Sequence, residues 1–332
     1  MKQNFNYIDE MKGFTILLVV MGHLFIPHTL LGTNYPCNTI IYSFHMPLFF
    51  FLSGYLMELN NNIAQKGISF FVQKKIYSLV VPFLFWALVV PIFLKNTYSR
   101  DLFVRLNFLD NRSYWFLPTL FIFMLLYLCK YLILKKINST HERNVKIDYL
   151  ISIAIVSAIA IMGIAVQEYT IVVYGIYLAM FFFGDAFYKY DELRLFLIQK
   201  SVFGICAALL CLLWKFFPLE ANHIAWRSML NLISYFITAF ASAIVFYNLF
   251  TKFLLPPFIK HYFSEMGKMS LVIYLIPIIL LNESFVFPEW MTYTLINISV
   301  LTLGILQTII SYVIGRIVYE IPYLRFAMFG KR

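Results

Sequence analysis

The segment Asp9–His23 reads DEMKGFTILLVVMGH: a charged start, a long apolar run, and one ionisable residue at its far end. An imidazole inside a membrane helix costs free energy unless a cavity or a partner receives it, so by default it marks a functional site. The segment therefore predicts a first membrane helix that carries a functional histidine, His23.

The composition excludes an ordinary soluble protein. The 332 residues are 61% hydrophobic and 13% charged, with a mean hydropathy of +0.79. Several apolar runs of about 20 residues match the ~30 Å hydrocarbon thickness of a bilayer, and they are too continuous for the alternating strands of a β-barrel. The sequence predicts an all-α integral membrane protein, multi-pass in the plasma (cytoplasmic) membrane.

The apolar runs and the charges together predict about ten transmembrane helices, with both termini in the cytoplasm. In this arrangement only six of the 26 Lys and Arg residues fall on the outer side, as the positive-inside rule requires. The net charge of +10 has no basic domain to hold it, so nucleic acid is not an expected partner. We expect one transmembrane domain over residues 1–332 with no appended soluble domain. The predicted helices are 13–31, 38–57, 76–94, 114–134, 148–166, 170–188, 201–217, 228–250, 268–287 and 292–316.

Lys12 and His23 share one face of the first helix. They are 11 residues apart, which is within about 20° of three full turns and roughly 16 Å along the axis. Lys12 is then at the cytoplasmic mouth and His23 deep in the bilayer. Asp9 precedes Lys12 by three residues and is expected to pair with it. The plainer interpretation is an interfacial lysine that extends its charge to water and a histidine bonded to a neighbouring helix.

A second polar position lies in Phe44–Tyr55, which reads FHMPLFFFLSGY. Pro47 cannot donate a backbone hydrogen bond, so a bend is expected close to His45. Ser53 and Gly54 form a small patch where another backbone can approach closely. Such bends and small patches are common in helical membrane proteins and do not by themselves name a function.

Further candidates are less specific. Lys74 and Lys75 form a cytoplasmic cationic pair that suits phosphate but equally suits any inner membrane boundary. Trp115 is either an interfacial anchor or, more sharply, a platform for a sugar ring. Ser270 and Tyr274 are four residues apart and share a helix face. The residue types show no metal-ligand spacing, so no metal site is expected.

These segments resemble the membrane acyltransferase-3 family, and more narrowly its fucose 4-O-acetylase-like branch. The first segment contains the family's basic residue, ten-residue gap and histidine at Lys12 and His23. The segments in the family's order are Tyr7–His23, Phe44–Tyr55, Tyr114–Leu117, and Met266–Leu271 with Tyr274. We refer to them below as blocks 1 to 4.

The resemblance implies an O-acyltransferase that moves an acetyl or similar group from cytoplasmic acyl-CoA to a sugar hydroxyl. The acceptor is expected to be a glycan or lipid-linked saccharide, such as an exopolysaccharide, reached among membrane lipids. Acyl-CoA, acetyl-CoA in the simplest case, is a co-substrate, and no bound cofactor is expected. Two departures are notable. Ser78 stands where relatives usually carry an arginine three residues after the Lys75 position, and Pro277 stands where many have a histidine.

In the expected mechanism, the phosphates of CoA bind Lys12 and the Lys74–Lys75 pair, and the pantetheine arm follows the first helix to His23. That histidine acts as general base on the acceptor hydroxyl or takes the acyl group itself, and His45 orients it or assists proton transfer. Asp9, Ser53, Trp115, Ser270 and Tyr274 are expected in supporting or acceptor-side positions. A transporter or glycan flippase with a histidine proton relay is the alternative, and a non-catalytic scaffold a third.

Overall fold

A computed structural model describes residues 6–30, 36–60, 63, 66–93, 114–137, 145–216, 229–252, 255–276, 287–288 and 290–331. All regular secondary structure in these ranges is helical. The helices are α1 Asn6–Leu30, α2 Pro36–Asn60, α3 Ile68–Lys75, a π-helical turn Ile76–Val80, α4 Val81–Phe93, α5 Phe116–Ile137, α6 Val145–Ala165, α7 Tyr169–Lys189, α8 Asp191–Leu197, α9 Lys200–Phe216, α10 Met229–Lys252, α11 Pro257–Lys268, α12 Ser270–Leu275, α13 Tyr293–Tyr319 and α14 Pro322–Phe329.

The all-helical membrane architecture is confirmed. Within the described residues, seven helices are long and apolar enough to cross a bilayer, or eight if the bent pair α8 and α9 forms one span. These segments do not establish the predicted total of ten or the side of either terminus. Residues 94–113, which follow α4, and Pro277 lie outside the described residues.

Most predicted helices agree closely with the structure because long apolar runs are unambiguous. The third begins earlier than predicted, at Ile68, and contains the π turn Ile76–Val80. Pro82 follows this turn and has no backbone N–H to bond the carbonyl four residues before it, which is a physical reason for irregular winding there. The chain thus spans Ile68–Leu88 as one helical run.

The predicted ninth helix begins close to the start of α12, but the sequence did not predict the helix that precedes it. The structure has one helix ending at Lys268 and another beginning at Ser270, with the junction at Met269. The first of these, α11, is a 12-residue helix that packs along α1. The start of the predicted span therefore corresponds to the short helix α12, and a separate helix beside α1 precedes it.

Helix α2 lies at the centre of the bundle and packs most extensively on α7. Its apolar window is 78% buried, whereas that of α6 is only 11% buried. In a membrane protein, exposed apolar surface of this kind faces lipid. Helices α1, α2, α7 and α10 therefore form the interior, and α1 and α2 carry His23, His45 and Ser53.

One close helix crossing, between α2 and α7, has a glycine on each side. A methyl group on Gly54 of α2 would lie 1.8 Å from the Phe181 carbonyl oxygen, and one on Gly184 of α7 would lie 2.0 Å from the Phe51 carbonyl oxygen. Only glycine allows the two backbones this close. The expected close approach at Gly54 is confirmed, and its partner is α7.

Candidate active site

Helix α1 is unbroken from Lys12 to His23, so both side chains belong to one continuous helical face. The Lys12 ammonium lies 2.6 Å from the Asp9 carboxylate, with side chains 19% and 31% exposed. The expected Asp9–Lys12 ion pair is confirmed. The pair holds a partly accessible cation near the start of the helix that carries the histidine.

His45 lies on α2 and is only 4% exposed. Its Nδ1 is 2.7 Å from the carbonyl oxygen of Ile41. A carbonyl can only accept a hydrogen bond, so in the neutral imidazole Nδ1 carries the proton and Nε2 keeps its lone pair. His23 on α1 is half-buried, and the residue before it, Gly22, packs on Ile41 and Tyr42 of the α2 turn that carries His45. The structure therefore brings the two candidate histidines together, and His45 presents a basic nitrogen.

Block 2 continues through Pro47 without interruption, because α2 is one helix from Pro36 to Asn60. The bend near His45 stays a prediction. The Ser53 hydroxyl donates to the Phe49 carbonyl at 2.8 Å, so its proton is used within its own helix. Ser53 thus keeps only acceptor capacity toward a ligand.

Blocks 1 and 2 are also joined at their other ends. The hydroxyls of Tyr7 and Tyr55 lie 2.9 Å apart, and the ring of Tyr247 on α10 packs near both rings, with centroids 5.8 and 6.2 Å away. This cluster of three tyrosines from three helices was not predicted from the sequence, although Tyr7 and Tyr55 both lie inside blocks 1 and 2. Spacing along one helix gives no sign of pairing across 48 residues.

Block 3 is in contact with α12, the helix that contains Tyr274 of block 4. The Tyr114 hydroxyl donates to the Leu275 carbonyl at 3.1 Å, at the end of α12. The rings of Phe116 and Tyr274 have centroids 5.6 Å apart. Ser270 and Tyr274 both lie in α12, as their spacing predicted, and both are half-buried.

Trp115 of block 3 lies against two tyrosines of α7. Its ring is nearly parallel to those of Tyr174 and Tyr177, with centroids 5.6 Å away in each case. It also approaches Phe50 of block 2 at 6.3 Å. The indole is thus part of an aromatic stack between helices, and its role toward a sugar stays a prediction.

The cations are not all brought together. Lys75 is half-buried with its ammonium 5.5 Å from the centre of the Phe71 ring, and Lys74 is exposed. The π turn that follows them packs on α5, α4 and α14, and α1 is not among the main neighbours of that segment. The described contacts therefore do not place this pair beside Lys12.

A different lysine is adjacent to the start of α1. A methyl group on Gly267 would lie 1.8 Å from the Asp9 carbonyl oxygen, so α11 crosses α1 in backbone contact. Lys268 follows directly, bonds to the Glu265 carboxylate at 2.6 Å and interacts electrostatically with Asp9. The hydrogen bond to Glu265 raises the pKa of Lys268, which keeps it protonated. Block 4 thus contributes a second cation near Lys12.

The four blocks are therefore neighbours in space as well as in a recognised order. A family model described as an acyltransferase domain, Acyl_transf_3, matches residues 5–316. The chain belongs to this acyltransferase-3 family. Its membership and its apolar helices together make it a multi-pass membrane protein.

Two curated relatives of this acyltransferase-3 chain are both named nodulation protein NolL. The one from Mesorhizobium japonicum is 32% identical over 127 residues, covering 36% of this chain and 34% of the relative. The one from Sinorhizobium fredii is 32% identical over 118 residues, covering 33% and 32%. The chain thus spans about a third of the length of these relatives. No solved structure matches the chain.

The acyltransferase-3 chain also contains a buried charge cluster that sequence reasoning missed. The Lys130 ammonium, 2% exposed, lies 2.7 Å from Asp185 and 2.9 Å from Asp148. Lys189 and Tyr190 also bond to Asp148. Burial and the bond to Asp148 raise the pKa of Tyr190, so it stays a neutral donor.

The sequence contained a signal for this cluster. Lys130 interrupts the apolar run of α5, and Asp185 follows Gly184 near the end of α7. Their pairing joins α5, α6 and α7 with two positive and two negative charges, so the cluster is neutral and has no excess charge for a ligand.

Proposed function

We propose that this protein is a membrane O-acyltransferase that moves an acyl group, acetyl in the simplest case, from cytoplasmic acyl-CoA to a sugar hydroxyl of a cell-surface or exported glycan. The observation that carries the proposal is the pair of histidines on α1 and α2. Nε2 of His45 is left with its lone pair by the Nδ1–Ile41 hydrogen bond, and His23 is its neighbour. Family membership supports the reaction class.

The acyl donor would enter at the start of α1. Lys12 and Lys268 are both cations held by a carboxylate three residues earlier, Asp9 and Glu265. Clustered ammonium groups bind phosphate strongly where water is partly excluded. Lys74 and Lys75 are assigned a secondary part, since the described contacts do not bring them to this mouth.

The pantetheine arm would extend along α1 to the histidines. The Lys12 to His23 rise of roughly 16 Å suits an extended arm. At the thioester, a histidine nitrogen takes the proton of the acceptor hydroxyl as that oxygen attacks the carbonyl carbon. The C–S bond then breaks, and the thiolate of CoA takes the proton from the imidazolium.

The two histidines have distinguishable parts in this reaction. His23 shares the face of α1 with Lys12 and is assigned the general base. His45, whose Nδ1 proton is held by Ile41, is assigned to orient His23 or to relay the proton. In an alternative mechanism at the same site, the acyl group is first transferred to His23 itself. An acyl-enzyme trapped on His23 would identify that mechanism.

Ser53, Trp115, Ser270 and Tyr274 are assigned to support the site or its acceptor side. Ser270 and Tyr274 belong to α12, which Tyr114 ties to block 3. Trp115 connects block 2 to α7 through its aromatic stack. These positions would shape the acceptor pocket through packing.

The test is transfer of labelled acetyl from acetyl-CoA to membrane glycan in vesicles that contain the protein. Release of free CoA that accompanies labelling supports the acyltransferase. Movement of glycan across the bilayer without acetyl-CoA would instead support the transporter alternative.

A further inference from the structure

Tyr42 lies between the two helices that carry the histidines. Its ring meets the His45 ring edge-on, with centroids 5.0 Å apart and an angle of 84°. On the other side, a methyl group on Gly22 would lie 3.2 Å from Cε2 of Tyr42. Gly22 directly precedes His23, so the missing side chain leaves room for this ring beside His23. Tyr42 therefore contacts the His45 ring and packs on α1 at the position next to His23.

The hydroxyl of Tyr42 differs from those of its neighbours. The Tyr235 hydroxyl donates to Tyr177 at 3.2 Å, and the Tyr114 hydroxyl donates to Leu275. Among the residues that the structure describes, the Tyr42 hydroxyl makes no hydrogen bond. Tyr42 is half-buried, and its hydroxyl is available to donate to a ligand beside His45.

We propose that Tyr42 donates its hydroxyl proton in a hydrogen bond to the carbonyl oxygen of the acyl thioester, and so stabilises the charge that develops there. The inference rests on the proposed acyltransferase function and adds a catalytic residue to it. It also places the thioester carbonyl of the acyl donor next to the histidines.

The step balances without any further reactant. The acceptor hydroxyl forms a C–O bond to the thioester carbonyl carbon, and its proton passes to a histidine nitrogen. The electron pair of the C=O bond moves to the oxygen, which Tyr42 holds by its O–H. When the carbonyl re-forms, the C–S bond breaks and the CoA sulfur takes the proton back from the imidazolium. Tyr42 keeps its own proton throughout.

The direct experiment compares three side chains at position 42 in membrane vesicles supplied with labelled acetyl-CoA. Removing one donor of this kind from other acyl-transfer sites costs about 10²–10³ in kcat. We expect Tyr42→Phe to lower the maximal labelling rate by about 10²-fold, while KM for acetyl-CoA stays unchanged. Inhibition by free CoA, which has no thioester carbonyl, should also stay unchanged.

A 4-aminophenylalanine at position 42 restores a donor of nearly the same size, and we expect it to recover most of the rate. Tyr262→Phe is the matched control, since it removes a phenol hydroxyl bonded to Thr308 on another helix pair. Its rate should stay near that of the wild type. Equal rates for wild type and Tyr42→Phe would overturn the inference, as would equal losses for Phe and 4-aminophenylalanine.

Gly22→Ala gives an independent check, because its methyl group would push the Tyr42 ring. We expect it to lower the rate, and to have little further effect in the Tyr42→Phe background, since both changes remove the same bond. Fully additive losses would contradict this. A wild type that releases no CoA would refute the proposed function itself. An active wild type whose rate does not change on substitution of Tyr42 would refute only the role of Tyr42.

Discussion

The α-carbon of Gly267 lies against the carbonyl oxygen of Asp9, so close that a methyl group there would be 1.8 Å from the oxygen. Gly13 makes the reciprocal contact with Phe263, at 1.9 Å. Block 4 is thus fixed to block 1 by two glycines in backbone contact. The crossing explains how residues near position 268 and residues near position 10 come to lie side by side.

Substituting Gly267 with Ala should therefore destabilise the protein. A new methyl group in a filled contact typically costs about 1–3 kcal/mol. Thermal unfolding of the detergent-purified protein should show a clearly lower Tm. Gly204→Ala is the control, because nothing lies within 4 Å of the added methyl and alanine favours the helix. If both variants unfold at the same temperature as the wild type, the close crossing is wrong.

Removing Lys130 should leave two buried carboxylates without their main counter-charge. Loss of one partner from a buried ion pair costs about 3–5 kcal/mol. We expect Lys130→Met to lower the yield of folded protein and its Tm, and Lys136→Met, at an exposed position on the same helix, to change neither. A Lys130→Met protein as stable as the control would argue against the cluster.

The cations at the mouth should act mainly on the acyl donor. We expect Lys12→Ala to raise KM for acetyl-CoA about tenfold, with a smaller change in kcat, since a lost charge-assisted phosphate contact costs on the order of 1.4 kcal/mol. Lys268→Ala should act in the same direction. Lys74→Ala and Lys75→Ala should have smaller effects, because α3 and the π turn pack elsewhere. Unchanged KM in Lys12→Ala would remove that residue from the donor site.

The Glu265–Lys268 pair should give stability a defined pH dependence. The hydrogen bond from Lys268 lowers the pKa of Glu265, so its contribution is present at neutral pH and is lost as the pH falls through that lowered pKa. The pKa of Lys268 is raised, so its contribution is lost as the pH rises through the raised pKa. Lys268 is 53% exposed, so the total should stay below about 1 kcal/mol.

Glu265→Gln tests this window. The variant should lose a small part of its Tm at neutral pH, and the difference from wild type should shrink in strong acid and in strong alkali. A Tm difference that is constant across the range would show that the ion pair is not its cause.

The sequence predicted the spans well where an apolar run was long, as in Tyr169–Lys189, because a helix satisfies every backbone hydrogen bond within the segment when no water is present in the lipid. It missed the start of α3, since Gln73, Lys74 and Lys75 lower the hydropathy of that segment. It also missed the junction at Met269, where no proline marks the break.

Among the candidate residues, pairs that lie on one helix were predicted, and pairs that are brought together by packing of two helices were not. Lys12 and His23, or Asp9 and Lys12, follow from 3.6 residues per turn. Lys130 and Asp185 are 55 residues apart, and their contact depends on how α5 and α7 pack. Whether the Tyr42 hydroxyl has a hydrogen-bond partner likewise depends on the neighbouring helices, and the sequence pattern of a single helix does not show those neighbours.

The most direct test of the account is His23→Ala in membrane vesicles supplied with labelled acetyl-CoA. The wild type should release CoA and label glycan, whereas correctly inserted His23→Ala protein should do neither, since the general base is gone. Full acetyl transfer by an inserted His23→Ala protein would contradict the central claim.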